Sequence, residues 1–209
     1  MRAILYSFRR CPYAMRARMG LSVSAINYEH REIELRDKPQ EMLDISPKGT
    51  VPVFITSTGQ IIEESLEVMT YALDINDPNG WLDCDKARAQ TLIIQNDGTF
   101  KTHLDRYKYA SRYDKTVKRG DVDFSHRALA LEFIQELEEA LANSEFLSGP
   151  KQSLADIAIF PFIRQFSNVE PQWWAASPYP KTRHWLSHHL NSALFDTIMT
   201  KHPIWQRES

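Results

Sequence analysis

The sequence predicts two domains, an α/β domain with the element order βαβαββα followed by an all-helical domain. Two observations on the 209-residue chain carry this prediction. Strand-like apolar runs alternate with helical segments through residues 1–75, and nearly every periodic segment after them is helical. A cluster of turn-forming residues, Asn76-Asp77-Pro78-Asn79-Gly80, lies between the two parts. We therefore assign residues 1–76 to the first domain, 77–85 to a linker and 86–209 to the helical domain.

The elements of the first domain follow from local signals. Apolar or β-branched runs predict strands, and apolar residues three and four positions apart predict helices. The predicted order is a strand at 3–8, a helix at 12–22, a partly exposed strand at 28–35, a short helix at 39–45, a hairpin of strands at 51–56 and 61–62, and a helix at 65–75. Ser65 is the predicted cap of the last helix.

The second domain is predicted to be helical throughout. Its longest helices are expected at 86–109 and 125–143, where apolar residues recur at helical spacing and glutamates face outward. Further helices are expected to begin at Ser153 and at residue 181, and a short last helix is expected at 192–200.

Composition limits the class of protein. A formal net charge of −2 gives no reason to expect nucleic acid as a partner. Two cysteines, Cys11 and Cys84, provide no disulfide framework and fit a reducing compartment. No apolar run approaches the roughly 20 residues of a membrane helix, and the N-terminus lacks the apolar core of a signal peptide. We expect a cytoplasmic protein without a membrane partner. His184 and His188 are four residues apart but have no carboxylate or cysteine nearby, so no metal site is expected.

Cys11 lies where the first strand gives way to the first helix. Pro12 suits the first helical position because its missing N–H is not needed there, which puts Cys11 at the N-cap. The positive end of the helix dipole favours a thiolate, and thiols at such positions have pKa values of about 3.5–7.5 instead of about 8.5. The alternative is a small buried side chain without reactivity. Four arginines in the same stretch would favour the thiolate further where they point inward; they are Arg9, Arg10, Arg16 and Arg18.

Pro52 interrupts a β-branched run. Proline cannot donate to a strand ladder, so the strand must lie at a sheet edge or begin at this point. A cis Val51–Pro52 bond in a tight turn meets both demands and would let the Val51 main chain pair with an extended peptide ligand. An ordinary loop that leads into an edge strand is the other interpretation.

Glu64 and Ser65 stand at the start of the predicted helix at 65–75. Ser65 and the amides after it form an anion site suited to a carboxylate, and Glu64 would hold a protonated amine. Together they suit the zwitterion of an α-amino acid. A plain helix cap with acidic residues near the positive dipole end is the alternative.

Together these stretches resemble the glutathione transferase superfamily, and within it the cysteine-type members of the omega class and their bacterial relatives. The order and spacing of the motifs make the resemblance specific, and it spans nearly the whole chain. The motifs are Cys11-Pro12-Tyr13-Ala14, Thr50-Val51-Pro52-Val53, Glu64-Ser65, Phe146-Leu147-Ser148-Gly149 and Ser153-Leu154-Ala155-Asp156-Ile157-Ala158. The resemblance implies a thioredoxin-like domain that holds glutathione and an all-helical domain that lines the second-substrate pocket.

The resemblance also assigns glutathione-binding residues. It places the γ-glutamyl end at Glu64 and Ser65, the cysteinyl segment at the Val51 main chain and the sulfur beside Cys11. Lys38 looks like the omega-class lysine near the glycyl carboxylate, and a solvated Lys38 is an equal alternative.

Three further residues receive structural roles from the same resemblance. Pro52 corresponds to the cis-proline of the family. Ser153 and Asp156 form an S-x-x-D capping box that opens an apolar helix, and we assign them to stability rather than to catalysis.

The sequence thus predicts a glutathione-dependent thiol transferase or reductase with one reactive cysteine, with glutathione as co-substrate and no metal. Ala14 stands where dithiol glutaredoxins carry a resolving cysteine, which favours a monothiol route. The expected second substrate is an electrophilic or disulfide small molecule, and family membership leads us to expect a homodimer. Two alternatives stay open: a transferase that conjugates glutathione or cleaves ethers, and a non-catalytic regulatory module, against which the retained Cys-Pro-Tyr-Ala motif argues.

Overall fold

A computed structural model describes residues 1–207 of the chain. The chain divides into two compact units. The first unit comprises Met1–Gly80 together with the chain from Asn191 on, and the second comprises Trp81–Leu190.

The first unit contains a four-stranded mixed sheet of β1 (Ala3–Ser7), β2 (Tyr28–Glu32), β3 (Val53–Ile55) and β4 (Ile61–Ile62), in the strand order β2-β1-β3-β4. β1 pairs with β2 in parallel, and β1–β3 and β3–β4 are antiparallel pairs. This is the predicted βαβαββα order. Its elements are β1 (Ala3–Ser7), α1 (Pro12–Val23), β2 (Tyr28–Glu32), α2 (Gln40–Ile45), β3 (Val53–Ile55), β4 (Ile61–Ile62) and α3 (Ser65–Ile75).

Alternation along β1 divides the core of this unit between two clusters, because successive strand residues point to opposite faces of a sheet. Ala3 and Leu5 belong to a cluster built with α1 and α3. Tyr6 belongs to the other cluster, in which Val51 is buried and Cys11 is half-buried. The thiol therefore packs at the border of the second cluster, beside the residue before Pro52.

The second unit is helical, as the sequence predicts. The long helix expected at 86–109 is present as α4 (Lys86–Gln95) and α5 (Lys101–Lys108), joined by a π-helical segment, Asn96–Phe100. Two short helices, α6 (Ala110–Tyr113) and α9 (Pro171–Ala176), are present that the sequence does not predict. The helices are α4 (Lys86–Gln95), α5 (Lys101–Lys108), α6 (Ala110–Tyr113), α7 (Phe124–Asn143), α8 (Leu154–Ser167), α9 (Pro171–Ala176) and α10 (Pro180–Leu190). Within residues 1–207, no helix has both the length and the apolar character needed to cross a membrane.

The expected helical domain extends over residues 86–209, but in the structure the chain from Asn191 on belongs to the first unit. After α11 (Ala193–Ile198), the Trp205 N–H donates to the main-chain oxygen of Glu32 at 2.8 Å. The Trp205 ring meets Tyr6 edge-on at 6.0 Å. β2 is an outer strand of the sheet, and the returning segment pairs with its free edge at Glu32.

The predicted capping box is present at the start of α8. Asp156 is fully buried, and one carboxylate oxygen accepts from the Ser153 N–H at 2.9 Å and from its hydroxyl at 2.7 Å. The other oxygen accepts from the Leu147 N–H and from Trp185 Nε1, both at 2.9 Å. Burial raises the pKa of Asp156, and these hydrogen bonds act in the opposite direction.

Candidate active site

Cys11 occupies the N-cap of α1, as the sequence predicts. Its backbone is extended, with φ −73° and ψ 124°, and Pro12 is the first helical residue. The Cys11 N–H donates to the Phe8 carbonyl at 3.0 Å, which closes the turn between β1 and α1. The Cys11 thiol donates to the carbonyl oxygen of Val51, with the sulfur 3.8 Å from that oxygen. The thiol is therefore held at a helix N-terminus and against the loop that ends at Pro52.

The Val51–Pro52 peptide bond is cis, as one of the two interpretations of the sequence required. β3 begins directly after it, at Val53, and lies between β1 and β4 rather than at a sheet edge. The absence of an N–H on Pro52 therefore costs no ladder hydrogen bond, because the proline precedes the strand.

Two of the four arginines near Cys11 point inward. Arg16 and Arg18 are 1% and 2% exposed, whereas Arg9 is partly exposed and Arg10 is exposed. Arg16 extends from α1 to α3, where Nη1 donates to the Ser65 hydroxyl at 3.5 Å. A buried positive charge thus supplements the helix dipole at the start of α3.

Glu64, and not Ser65, is the N-cap of α3, which corrects the predicted cap by one residue. Glu64 has extended backbone angles and its carbonyl accepts from the Val68 N–H at 3.0 Å, whereas Ser65 already has helical geometry. The Glu64 carboxylate projects into solvent and forms an ion pair with Lys48 at 2.5 Å. This hydrogen bond raises the pKa of Lys48.

The segment 46–51, here called the binding loop, connects the predicted glutathione residues. Ser46 donates to Glu63, and Lys48 pairs with Glu64. Gly49 adopts φ +60°, and a Cβ atom there would lie 3.5 Å from Lys38 Nζ. Val51 ends the loop beside the Cys11 sulfur. The structure therefore brings Cys11, Val51, Glu64, Ser65 and Lys38 together around one loop.

Ser153 and Asp156 lie in the second unit, at the start of α8. Sequence reasoning missed Lys48 as a partner of Glu64. Its place between Pro47 and Gly49 in a loop of turn-forming residues was the one available signal.

Within the described part of the chain, no three histidine, cysteine, aspartate or glutamate side chains form a group that could hold a metal ion.

Comparison with known families gives two matches that together span most of the chain. Residues 5–80 match the family described as "Glutathione S-transferase, N-terminal domain". Residues 94–188 match "Glutathione S-transferase, C-terminal domain".

Individual proteins agree with the family matches. The chain is 40% identical over 186 residues to human glutathione S-transferase omega-2, an alignment that covers 88% of this chain and 74% of the relative. It is 29% identical over 187 residues to mouse glutathione S-transferase omega-1, with the same coverage. Among solved structures, glutathione transferase Omega 3C from Trametes versicolor superposes with a TM-score of 0.76 at 19% identity, covering 97% of this chain and 91% of that one.

Proposed function

Because the chain belongs to the glutathione S-transferase family, we propose that it reduces disulfides with glutathione and that the Cys11 thiolate is the nucleophile. The observation that carries this proposal is the position of the Cys11 sulfur. It lies at the N-terminus of α1, in a chain that carries alanine where a second cysteine would stand. The helix terminus supplies the partial positive charge that a thiolate requires.

The proposed reaction has two exchange steps. The Cys11 thiolate attacks the glutathione sulfur of a mixed disulfide, forms a Cys11–glutathione disulfide and releases the substrate as a thiolate. A second glutathione thiolate then attacks this disulfide, releases oxidised glutathione and restores the Cys11 thiolate. The substrate disulfide gains two electrons and two glutathione sulfurs end in one disulfide, so atoms and electrons balance. Ala14 offers no local thiol, which is why the second step needs a second glutathione.

Three groups around the binding loop suit the parts of glutathione. The N-terminus of α3 at Ser65, supported by buried Arg16, suits the carboxylate of the γ-glutamyl end. Glu64 suits its ammonium group, which would replace Lys48 as the partner of the carboxylate. The main chain of Val51 would pair with the cysteinyl segment, and Lys38 would meet the glycyl carboxylate.

Parallel assays test the proposed function. Turnover of the purified protein is measured with glutathione and three acceptors: hydroxyethyl disulfide, dehydroascorbate and chlorodinitrobenzene. We expect turnover of hydroxyethyl disulfide, the one disulfide of the three, to exceed both reduction of dehydroascorbate and conjugation of chlorodinitrobenzene. Conjugation without disulfide exchange would contradict the proposal and support the conjugating alternative. A protein that binds glutathione but turns over none of the three would also contradict it.

Glu64→Gln tests the proposed amine site. We expect the KM for glutathione to rise about tenfold, the effect of roughly 1.4 kcal/mol of lost charge interaction, with kcat changed less than twofold. The matched control is Glu67→Gln, which removes an exposed carboxylate one turn along the same helix. A KM within twofold of the wild-type value in Glu64→Gln would remove Glu64 from the binding site.

The proposal also includes a cytoplasmic location and a homodimer. Two cysteines without a disulfide framework suggest a reducing environment, which supports the cytoplasmic location. Family membership supports the homodimer.

A further inference from the structure

Arg18 connects the inner face of α1 to the turn that carries Cys11. Nη1 donates to the Ser7 hydroxyl at 2.6 Å and to the Phe8 carbonyl at 3.4 Å, and Nη2 donates to the Arg9 carbonyl at 2.7 Å. The Phe8 carbonyl is also the acceptor of the Cys11 N–H. One buried guanidinium therefore binds the Phe8 and Arg9 carbonyls, and these carbonyls belong to the turn that positions Cys11.

The same guanidinium also reaches the C-terminal segment, since Nε donates to the carbonyl of Ile198 at 3.0 Å. The Arg9 side of the turn is held a second time, because the Arg9 N–H donates to the Glu32 carboxylate at 2.6 Å. Arg18 thus joins the nucleophile turn to α11, and buried Glu32 fixes the same turn from β2.

The charge of Arg18 is surrounded by other charged and titratable groups, one of which is Cys11. Burial lowers the pKa of Arg18, whereas the nearby Glu32, Tyr28 and Cys11 raise it, and Arg9 opposes them. The guanidinium also donates to the carbonyls of Phe8 and Arg9, three and two residues before Cys11, so its positive charge lies beside the turn of the thiol and favours negative charge there. An arginine keeps its proton even when buried.

Two histidines lie beyond Glu32. His30 Nε2 is 2.9 Å from the Glu32 carboxylate, and the ring of His202 stacks on His30 with centroids 3.9 Å apart. Any pH profile of the thiol has to be compared between variants that all retain both histidines.

We propose that Arg18 is a positioning residue for the Cys11 thiolate, holding the Phe8 and Arg9 carbonyls with its fork and favouring ionisation of the sulfur with its charge. The inference rests on the proposed function, in which Cys11 is the nucleophile. Stability alone does not require an arginine here, because well-packed apolar side chains often replace buried charges without loss of stability.

Alkylation of Cys11 by iodoacetamide tests the inference, measured between pH 4.5 and 9 in a Cys84→Ser background. We expect the parent protein to show an apparent pKa below about 7. Arg18→Met removes the charge and should raise that apparent pKa by about one unit. Arg18→Lys keeps the charge but loses the planar fork, so it should shift the pKa by less than about half a unit and lower kcat about tenfold, with the KM for glutathione unchanged.

Arg31→Met is the matched control, because Arg31 is another largely buried arginine of this unit but is engaged with Glu29 and Tyr6. Its alkylation profile should match that of the parent. An equal shift in Arg31→Met, or a folded Arg18→Met protein with the parental profile, overturns the inference. Where Arg18→Met does not fold, wild-type kcat in Arg18→Lys overturns it. Failure of the proposed function would appear separately, as full turnover in Cys11→Ser, whereas alkylation reports on the sulfur whatever the reaction.

Discussion

Replacing Cys11 by serine is expected to lower the rate of disulfide reduction at least about a thousandfold, because a hydroxyl neither ionises near neutral pH nor forms the mixed disulfide. The fold should tolerate the change, since serine is a preferred N-cap residue. Glutathione affinity should stay within about tenfold of the wild-type value, because Glu64 and Ser65 lie at the start of α3, a separate element.

Turnover of hydroxyethyl disulfide and glutathione binding by calorimetry check this prediction on the same samples. Cys84→Ser is the matched control and should keep full turnover. Burial raises the pKa of the Cys84 thiol, so it is a poor nucleophile at neutral pH. Turnover within tenfold of the wild-type rate in Cys11→Ser would remove Cys11 from the mechanism, and loss of turnover in Cys84→Ser would assign part of the chemistry to the second thiol.

Asp156→Ala is expected to lower the free energy of unfolding by about 4 kcal/mol, near the upper end of single substitutions. A helix cap alone typically contributes about 0.5–2 kcal/mol. Here the carboxylate also accepts from the Leu147 N–H and Trp185 Nε1, and its loss leaves buried donors without an acceptor. Asp156→Asn should lower the free energy of unfolding almost as much. Each carboxylate oxygen accepts from two donors, and in asparagine an NH₂ group, itself a donor, would replace one of these oxygens.

Urea unfolding of the full chain measures this effect. The matched control is Asp85→Ala, which removes the exposed N-cap of α4, where the carboxylate accepts from the Arg88 N–H at 3.0 Å. We expect about 1 kcal/mol for that variant. A loss of less than about 2 kcal/mol for Asp156→Ala would show that Leu147 and Trp185 find other acceptors, and that the carboxylate acts as an ordinary cap.

The features that the sequence predicted correctly are those with local causes. Pro12 at the first helical position placed Cys11 at the N-cap, and the spacing of Ser153 and Asp156 placed the capping box. The predicted N-cap of α3 was wrong by one residue, since Ser65 was expected and Glu64 was found, and the two are neighbours at the start of the same helix. The short helices α6 and α9 lack enough turns for a periodic signal, and they were missed for that reason.

The candidate site divides in the same way. Cys11, Val51 and Pro52 were identified by motif, and the structure adds the contact of the Cys11 thiol with the Val51 carbonyl at 3.8 Å. The pairing of Lys48 with Glu64 was not identified, because sixteen residues separate them and the turn-forming neighbours of Lys48 indicate a loop but not its partner. The catalytic role of Cys11 and glutathione binding by Lys38, Val51, Glu64 and Ser65 stay predictions.

The amino-acid sequence by itself determined the element order, the family and the helix-terminal place of the thiol, since propensity, capping and motif spacing act over a few neighbouring residues. Only the tertiary structure decided that Arg18 turns inward to the Phe8 and Arg9 carbonyls, and that the chain after Asn191 returns to β2. Contacts such as Arg18 with Ile198 join residues 180 positions apart. Such pairs are selected by the burial of side chains and the pairing of buried polar groups in the folded chain, and no local pattern records them.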